Sequence, residues 1–400
     1  MFFIVSFLLN LIETIIVNIT YLLGAGASYN ALPIIDELPS RLTFFESVVR
    51  NAKEAVSRTE PKDFKLIDLM ERLAKDINFI TQEILHHKTV DTLAKKYYVV
   101  TEDAHLLVCL KKVLIAYFLF EQTPNTSTKS HLLRTWKNER GDDVYQRKEI
   151  PDKRYDSFIA SIINEERGNL SLNPKFKVVT WNYDVQFELA YQRYFPKERM
   201  GELDEKLQAL PTYDFLEEKM KFDSKMFSVV RLNGVAGLSF LPLIQKIKRG
   251  SNGLVDFIDL VSVLAELHTE VVNENVPAFS YAWEKHEQLK TVHKNKQLLF
   301  LAAKEVLQTT NVLVVIGYSF PNFNRSVDLE LFERLPALRK VYVQDTNADN
   351  VISLLRSSFP IFRQKNVTQV AANQVVSKYK VKIEPIQHVN QFFIPPEAEI

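Results

Sequence analysis

Ile15-Ile16-Val17-Asn18-Ile19-Thr20-Tyr21-Leu22-Leu23-Gly24-Ala25-Gly26-Ala27-Ser28 is the stretch that decides the fold of this chain. Its first part is an apolar, β-branched run with the character of a buried strand. The five residues Gly24 to Ser28 then place Gly-x-Gly at the strand's end, turning towards a helix. Such a turn brings backbone N–H groups close to a ligand phosphate. Glycine suits it because a side chain would block the approach or forbid the backbone angles. The alternative is a tight strand-to-helix turn that holds no ligand. The full dinucleotide fingerprint is absent: Asn30 stands where a third Gly or Ala is expected. Asp36 and Glu37, beside Pro33 and Pro39, come too early to be the acidic residue that ends a second strand. An ordinary nicotinamide dehydrogenase is therefore disfavoured.

The 400 residues suffice for two or three units with cores of their own. Charge is balanced, 50 basic against 49 acidic residues, so nothing global points to nucleic acid or an anionic membrane. The mixed-sign stretch from Lys137 through Arg154 reads as a solvated connector. A single cysteine, Cys109, excludes an internal disulfide framework and a multi-cysteine zinc module. Its apolar surroundings suggest a buried, inert thiol, and a reducing cytoplasm fits. No metal site is expected. Phe2 to Ile12 has no basic leader, is interrupted by Glu13 and is too short to span a bilayer. The favoured reading is a buried or oligomer-contacting helix, with a membrane-associated role as the lesser alternative; no membrane partner is expected.

From Leu38 to about His131 the apolar spacing is helical, as in Ile77, Ile80, Ile84 and Leu85. This block is either plain packing or a partner surface. Strands resume at Lys177–Thr180, Phe227–Leu232, Asn311–Ile316 and Arg339–Val343, separated by helical stretches such as Val185–Tyr194 and Gln297–Val306. Strand–helix alternation with buried strands means a mostly parallel sheet covered on both faces, whose ligands sit beyond the strands' carboxyl ends. The polar clusters lie at those ends: Thr180-Trp181-Asn182-Tyr183-Asp184, Asn233-Gly234, Gly317-Tyr318-Ser319-Phe320 and Gln344-Asp345-Thr346-Asn347. Each has a bland reading as a helix cap or turn. Their coincidence with Gly24 to Ser28 points to one shared site.

Gly-Ala-Gly-Ala-Ser after a strand, Thr-x-Asn-Tyr-Asp at a later strand end and Gly-Tyr-Ser-Phe before a polar loop resemble the sirtuin-like NAD-binding domain. The nearest resemblance is to bacterial NAD hydrolases of anti-phage defence, some of which operate with a HerA-like ATPase. It spans roughly Thr20 to Asp345. It implies an α/β, Rossmann-like, mostly parallel sheet with a helical insertion. Residues 1–37 would hold the N-terminal segment and first strand, 38–150 the insertion, and 151–400 the remainder of the sheet domain. It also implies NAD⁺ as a substrate, with no true cofactor. Asn182, Asp184 and Asn233 are then the candidate catalytic residues. Gly24, Ala25, Gly26, Ser28, Thr180, Gly317, Ser319 and Asp345 are the candidate contacts to the dinucleotide.

Two departures shape the expected chemistry. The family's usual histidine is Asn233 here, which can orient water or a ribose but cannot act as a base near neutral pH. The four zinc cysteines of the deacylases are also missing, so protein deacylation is disfavoured. Glycohydrolysis survives both losses, because nicotinamide leaves from a cationic pyridinium without a general acid. Asp184 would stabilise the developing cation and Asn182 would position ribose or water. No one of the eight histidines stands out as a base. A sensor that binds NAD or ADP-ribose without turnover, or an assembly subunit, is the competing expectation. A cofactor-destroying enzyme needs restraint, so a homo-oligomer or a complex with a HerA-like ATPase is expected, with no direct nucleic acid contact.

Overall fold

Short apolar runs buried on both faces build the centre of the molecule. The computed structural model describes residues 17–32, 37–60, 62–87, 89–99, 104–123, 135–137, 143–146, 151–166, 169–195, 206–211, 222–236, 257–270, 280–281, 283–284, 290–363, 369–371, 374–376 and 381–399. The expected helix at Phe2–Ile12 lies outside these residues. Seven strands form one sheet: β1 (Ile19–Leu23), β2 (Phe176–Thr180), β3 (Ala209–Leu210), β4 (Ser228–Arg231), β5 (Val312–Ile316), β6 (Lys340–Gln344) and β7 (Lys382–Ile386). Every neighbouring pair is parallel, in the order β7-β6-β5-β1-β2-β4-β3. The fold is the expected α/β, Rossmann-like one.

Alternation along β1 sends Ile19, Tyr21 and Leu23 into one core and Leu22 into the other. The first face is covered by α5 (Lys153–Ile162), α6 (Gln186–Tyr194) and the C-terminal residues Phe392 and Phe393. The second is covered by α8 (Lys290–Thr309), α9 (Arg325–Leu331) and α10 (Ala348–Ser358).

Between β1 and β2 the chain makes α1 (Leu38–Thr59), α2 (Phe64–Leu85), α3 (Val90–Val99) and α4 (Ala104–Gln122). Asp63 starts α2 by accepting the Leu66 amide at 3.1 Å. Leu42, Phe45, Val49, Ala52 and Val56 line one buried stripe of α1, while Leu73, Ile77, Ile80 and Ile84 line one of α2. At roughly 1.5–3 kcal/mol per large apolar side chain, this third core is a substantial share of the stability. The later helix α7 (Phe257–Glu270), not anticipated from the sequence, joins it against α1, α2 and α4.

The register decides where the polar clusters meet. Leu23 lies opposite both Thr180 and Ile316, and Thr180 lies opposite Arg231. The loops after β1, β2, β4 and β5 therefore leave the sheet at one level. After β1 the chain builds one half of the sheet and then returns to β5 on the other side of β1. This reversal opens a crevice at the strands' carboxyl ends. Among the described residues no helix is long and apolar enough to cross a membrane.

Candidate functional site

The turn after β1 is shaped by the turn after β5. Gly24 donates to the Ile316 carbonyl at 3.0 Å, and Gly26, in the short 3-10 turn Ala25–Ser28, donates to the Gly317 carbonyl at 3.0 Å. A Cβ on Gly24 would lie 2.7 Å from the Gly317 oxygen, and one on Gly26 2.8 Å from the Gly317 Cα. Gly317 itself has φ +58°, and a Cβ there would sit 2.5 Å from the Ala27 nitrogen. Three glycines are required because two backbones touch. The sequence indicated the need for glycine but not this cause.

Arg154 completes the turn from below. Its guanidinium donates to the carbonyls of Ala27 at 2.9 Å and Gly26 at 3.4 Å, and pairs with Asp152 at 2.6 Å. Both side chains are buried, so this end of the charge-rich stretch is interior and not the solvated connector that its composition suggested. Asp152 also caps α5 through the Arg154 amide at 2.9 Å.

The loop after β2 meets the same turn. Thr180 Oγ1 accepts the Asn182 amide at 3.0 Å. Asn182 Nδ2 then donates to the Gly24 carbonyl at 2.9 Å and to Ser28 Oγ at 3.2 Å. Ser28 gives its hydrogen to Asp184 Oδ2 at 2.6 Å, and Tyr155 Oη lies 2.8 Å from Ser28 Oγ. A hydroxyl has one hydrogen and two lone pairs, so Ser28 is fully used: it donates to Asp184 and accepts from Asn182 and Tyr155. Burial pushes the Asp184 carboxyl upward, and the Ser28 hydroxyl followed by the Arg231 guanidinium pull it back. Burial, reinforced by Asp184, holds the Tyr155 phenol well above its ordinary value, so it stays a donor.

From β4, Arg231 Nε donates to the Asp184 carbonyl at 2.9 Å, while Nη2 grips both Glu188 oxygens at 2.8 and 2.6 Å. Asn233 Nδ2 holds the Trp181 carbonyl at 3.1 Å, and its own carbonyl accepts the Ser280 amide at 2.9 Å. Among the described residues the buried Asn233 Oδ1 has no hydrogen-bond partner.

In the loop after β5, Tyr318 stacks on Trp181 with ring centroids 5.9 Å apart and donates to Asp328 Oδ2 at 2.8 Å. Burial pushes the Asp328 carboxyl up to about 7, against the opposing effect of that hydrogen bond and of Arg325. Phe320 holds φ +51°, an uncommon left-handed angle for a bulky residue, with its ring buried against Phe359.

Gly24, Gly26, Ser28, Thr180, Asn182, Asp184 and Gly317 thus form one connected cluster, with Asn233 attached through Trp181. Ala25 and Ser319 are exposed on the same edge. Asp345 accepts the Asn347 amide at 2.8 Å, a turn-forming bond that ties up one of its oxygens. Beside the cluster, Trp181 and Leu232 face a cleft of about 360 Å³ whose far wall includes Lys296, Phe300, Lys304 and Glu330. That volume falls within the range of small-molecule sites. Burial pushes the Lys296 amine down to about 8, and it donates to the Tyr281 and Glu284 carbonyls at 2.7 and 3.0 Å.

Among the described histidines, His268 pairs with Asp76 at 3.1 Å in the helical layer, away from this edge. His131 and His286 lie outside the described residues. Cys109 is half-buried, and burial followed by nearby Asp76 pushes its thiol up to about 12, so the inert protonated form prevails. Among the described residues no group of His, Cys, Asp and Glu is arranged to hold a metal ion.

Tyr155, Arg154, Glu188 and the inward role of Arg231 were not read from the sequence. For Arg231 a signal existed: an arginine inside the apolar strand Val229-Val230-Arg231-Leu232 must have a buried partner. The chain matches no known family model and no curated protein.

Proposed function

We propose that this chain is an NAD⁺ glycohydrolase that releases nicotinamide and ADP-ribose. The observation that supports this most is the junction of Ser28, Asn182 and Asp184 at the point where the strand order reverses, since such points receive nucleotides. The sequence resemblance assigns the same residues to the same ligand.

In this reading the bond between the ribose C1′ and the pyridinium nitrogen breaks, and its electron pair neutralises the departing nicotinamide. Positive charge is left on the ribose, and water adds to C1′ with loss of a proton. Asp184 supplies negative charge beside that cation, and its buried setting strengthens the interaction. Burial raises its carboxyl above the ordinary range, and the Ser28 hydroxyl and the Arg231 guanidinium offset part of that cost. Asn182 is half-buried and positions a ribose hydroxyl or the attacking water. Asn233 orients and does not take a proton.

NAD⁺ is substrate and not cofactor. The chain would act in the cytoplasm as an anti-phage effector that depletes NAD, restrained until it assembles with itself or with a HerA-like ATPase. A second reading, a sensor that binds NAD or ADP-ribose without turnover, is favoured by Asn233 where a histidine would serve as base. Proton NMR of NAD⁺ mixed with the protein separates them. Free-nicotinamide signals that grow with the parent and not with Asn182→Ala support the hydrolase and its site. Equal release by both proteins refutes the site, and line broadening without release favours the sensor.

A further inference from the structure

The peptide unit joining Asp184 to Val185 is held at both ends by buried side chains from different parts of the fold. Its carbonyl accepts Arg231 Nε from β4 at 2.9 Å. Its N–H donates to Gln122 Oε1, at the last residue of α4, at 2.8 Å. Asp184 and Gln122 are both about 95% buried, so water cannot replace either bond. Helix α6 has no side-chain cap of its own at Val185. The Gln186 amide is satisfied locally by Asp184 Oδ1 at 3.2 Å, and the Val185 amide from 63 residues away by the helical layer. Gln122 is itself anchored, donating from Nε2 to the Phe118 carbonyl at 3.2 Å. One turn back on α4, Phe118 packs edge-on against Tyr183 at 5.7 Å.

Anchoring this peptide unit holds the backbone on one side of the Asp184 Cα, the position from which its carboxyl reaches Ser28 at 2.6 Å. We infer that Gln122 is a positioning residue, through which the helical insertion sets the Asp184 carboxyl for the reaction. This rests on the glycohydrolase reading for its catalytic consequence, but the geometric coupling stands apart from it. The insertion is thereby neither plain packing nor only a partner surface. A displacement of α4 is transmitted to the site through the Gln122 hydrogen bond, beside the Phe118–Tyr183 contact.

The test replaces Gln122 with Met, which fills similar space without an acceptor. Two quantities are read: nicotinamide release as kcat and KM, and the titration of the Asp184 carboxyl by carbon NMR, assigned with Asp184→Asn. The groups facing Asp184 are Ser28 from the glycine turn, Tyr155 from α5, Glu188 from α6 and Arg231 from β4. Gln122 carries no charge, so its loss changes the titration through geometry alone. In Gln122→Met, kcat is expected to fall on the order of 10- to 100-fold with KM little changed, as for a misplaced catalytic group. Asp184 is expected to titrate at a higher pH than in the parent, because the Ser28 bond that lowers it is lost.

An unchanged titration in the folded variant overturns the inference, and so does an unchanged kcat in an active parent. A parent that releases no nicotinamide defeats the glycohydrolase reading instead, and the titration then decides the positioning by itself. Should Gln122→Met not fold, Gln122→Asn, polar but one methylene short of Val185, is read in the same way.

Discussion

Replacing Gly317 with Ala tests why the glycines stand where they do. The new methyl would lie 2.5 Å from backbone atoms of Gly26 and Ala27, a distance real Cβ atoms do not tolerate, so one of the two turns has to move. Forcing extra volume into packed backbone costs about 1–3 kcal/mol. The angle adds to this, since an alanine at φ +58° carries a left-handed penalty of roughly 1–2 kcal/mol. A more restricted unfolded chain returns only about 0.4–1 kcal/mol. The net expectation is a loss of about 2–4 kcal/mol. Gly24→Ala, which meets the Gly317 oxygen at 2.7 Å without the angular term, should lose less. Urea unfolding of the ligand-free protein measures both. If the glycines served only a bound phosphate, both variants would unfold like the parent and differ only in nucleotide affinity. A loss below about 0.5 kcal/mol for Gly317→Ala, within the scatter of ordinary surface changes, would refute the loop-contact argument.

Asp328 should tilt stability with pH. Its folded carboxyl is raised from 3.8 to about 7, so its contribution is complete below the usual carboxylate range and drains away as pH rises towards 7. The whole effect is on the order of 4 kcal/mol, and urea midpoints of Asp328→Asn beside the parent should diverge steadily across that window. Parallel curves would mean that Asp328 titrates normally. Arg154→Met leaves Asp152 buried beside no cation and should cost about 3–5 kcal/mol at neutral pH. The double variant with Asp152→Asn should recover much of that loss, which denaturant titration of both would show.

What the sequence revealed followed the reach of local physics. β2 and β5 were legible because Lys177-Val178-Val179-Thr180 and Val312-Leu313-Val314-Val315-Ile316 are apolar on both faces, as interior parallel strands must be. β7 escaped because Lys382-Ile383-Glu384-Pro385-Ile386 is a half-exposed edge strand whose charges and proline mask its character. β3 escaped because it is two residues long. Ser28, Asn182 and Asp184 were legible as polar residues at strand ends. Their partners were harder: Tyr155 and Gln122 reach the cluster from helices, where one buried polar residue looks like any other. Arg154 and Asp152 were hidden by company, since the charges that precede them suggested solvent.

The placement of β1 between β2 and β5 has a consequence during synthesis. Asn18, at the start of β1, bonds to Asn311, which the ribosome adds 293 residues later. Until β5 has emerged, the Gly24 and Gly26 amides lack the Ile316 and Gly317 carbonyls that receive them. Tyr21 waits longer still, for the carbonyl of Phe393, 372 residues on. A nascent polypeptide therefore holds the first residues of the crevice through those 293 residues of synthesis without being able to close it. Contacts of such long range also make folding slow. A product that stops before β5 would carry the glycine turn without the two carbonyls that shape it.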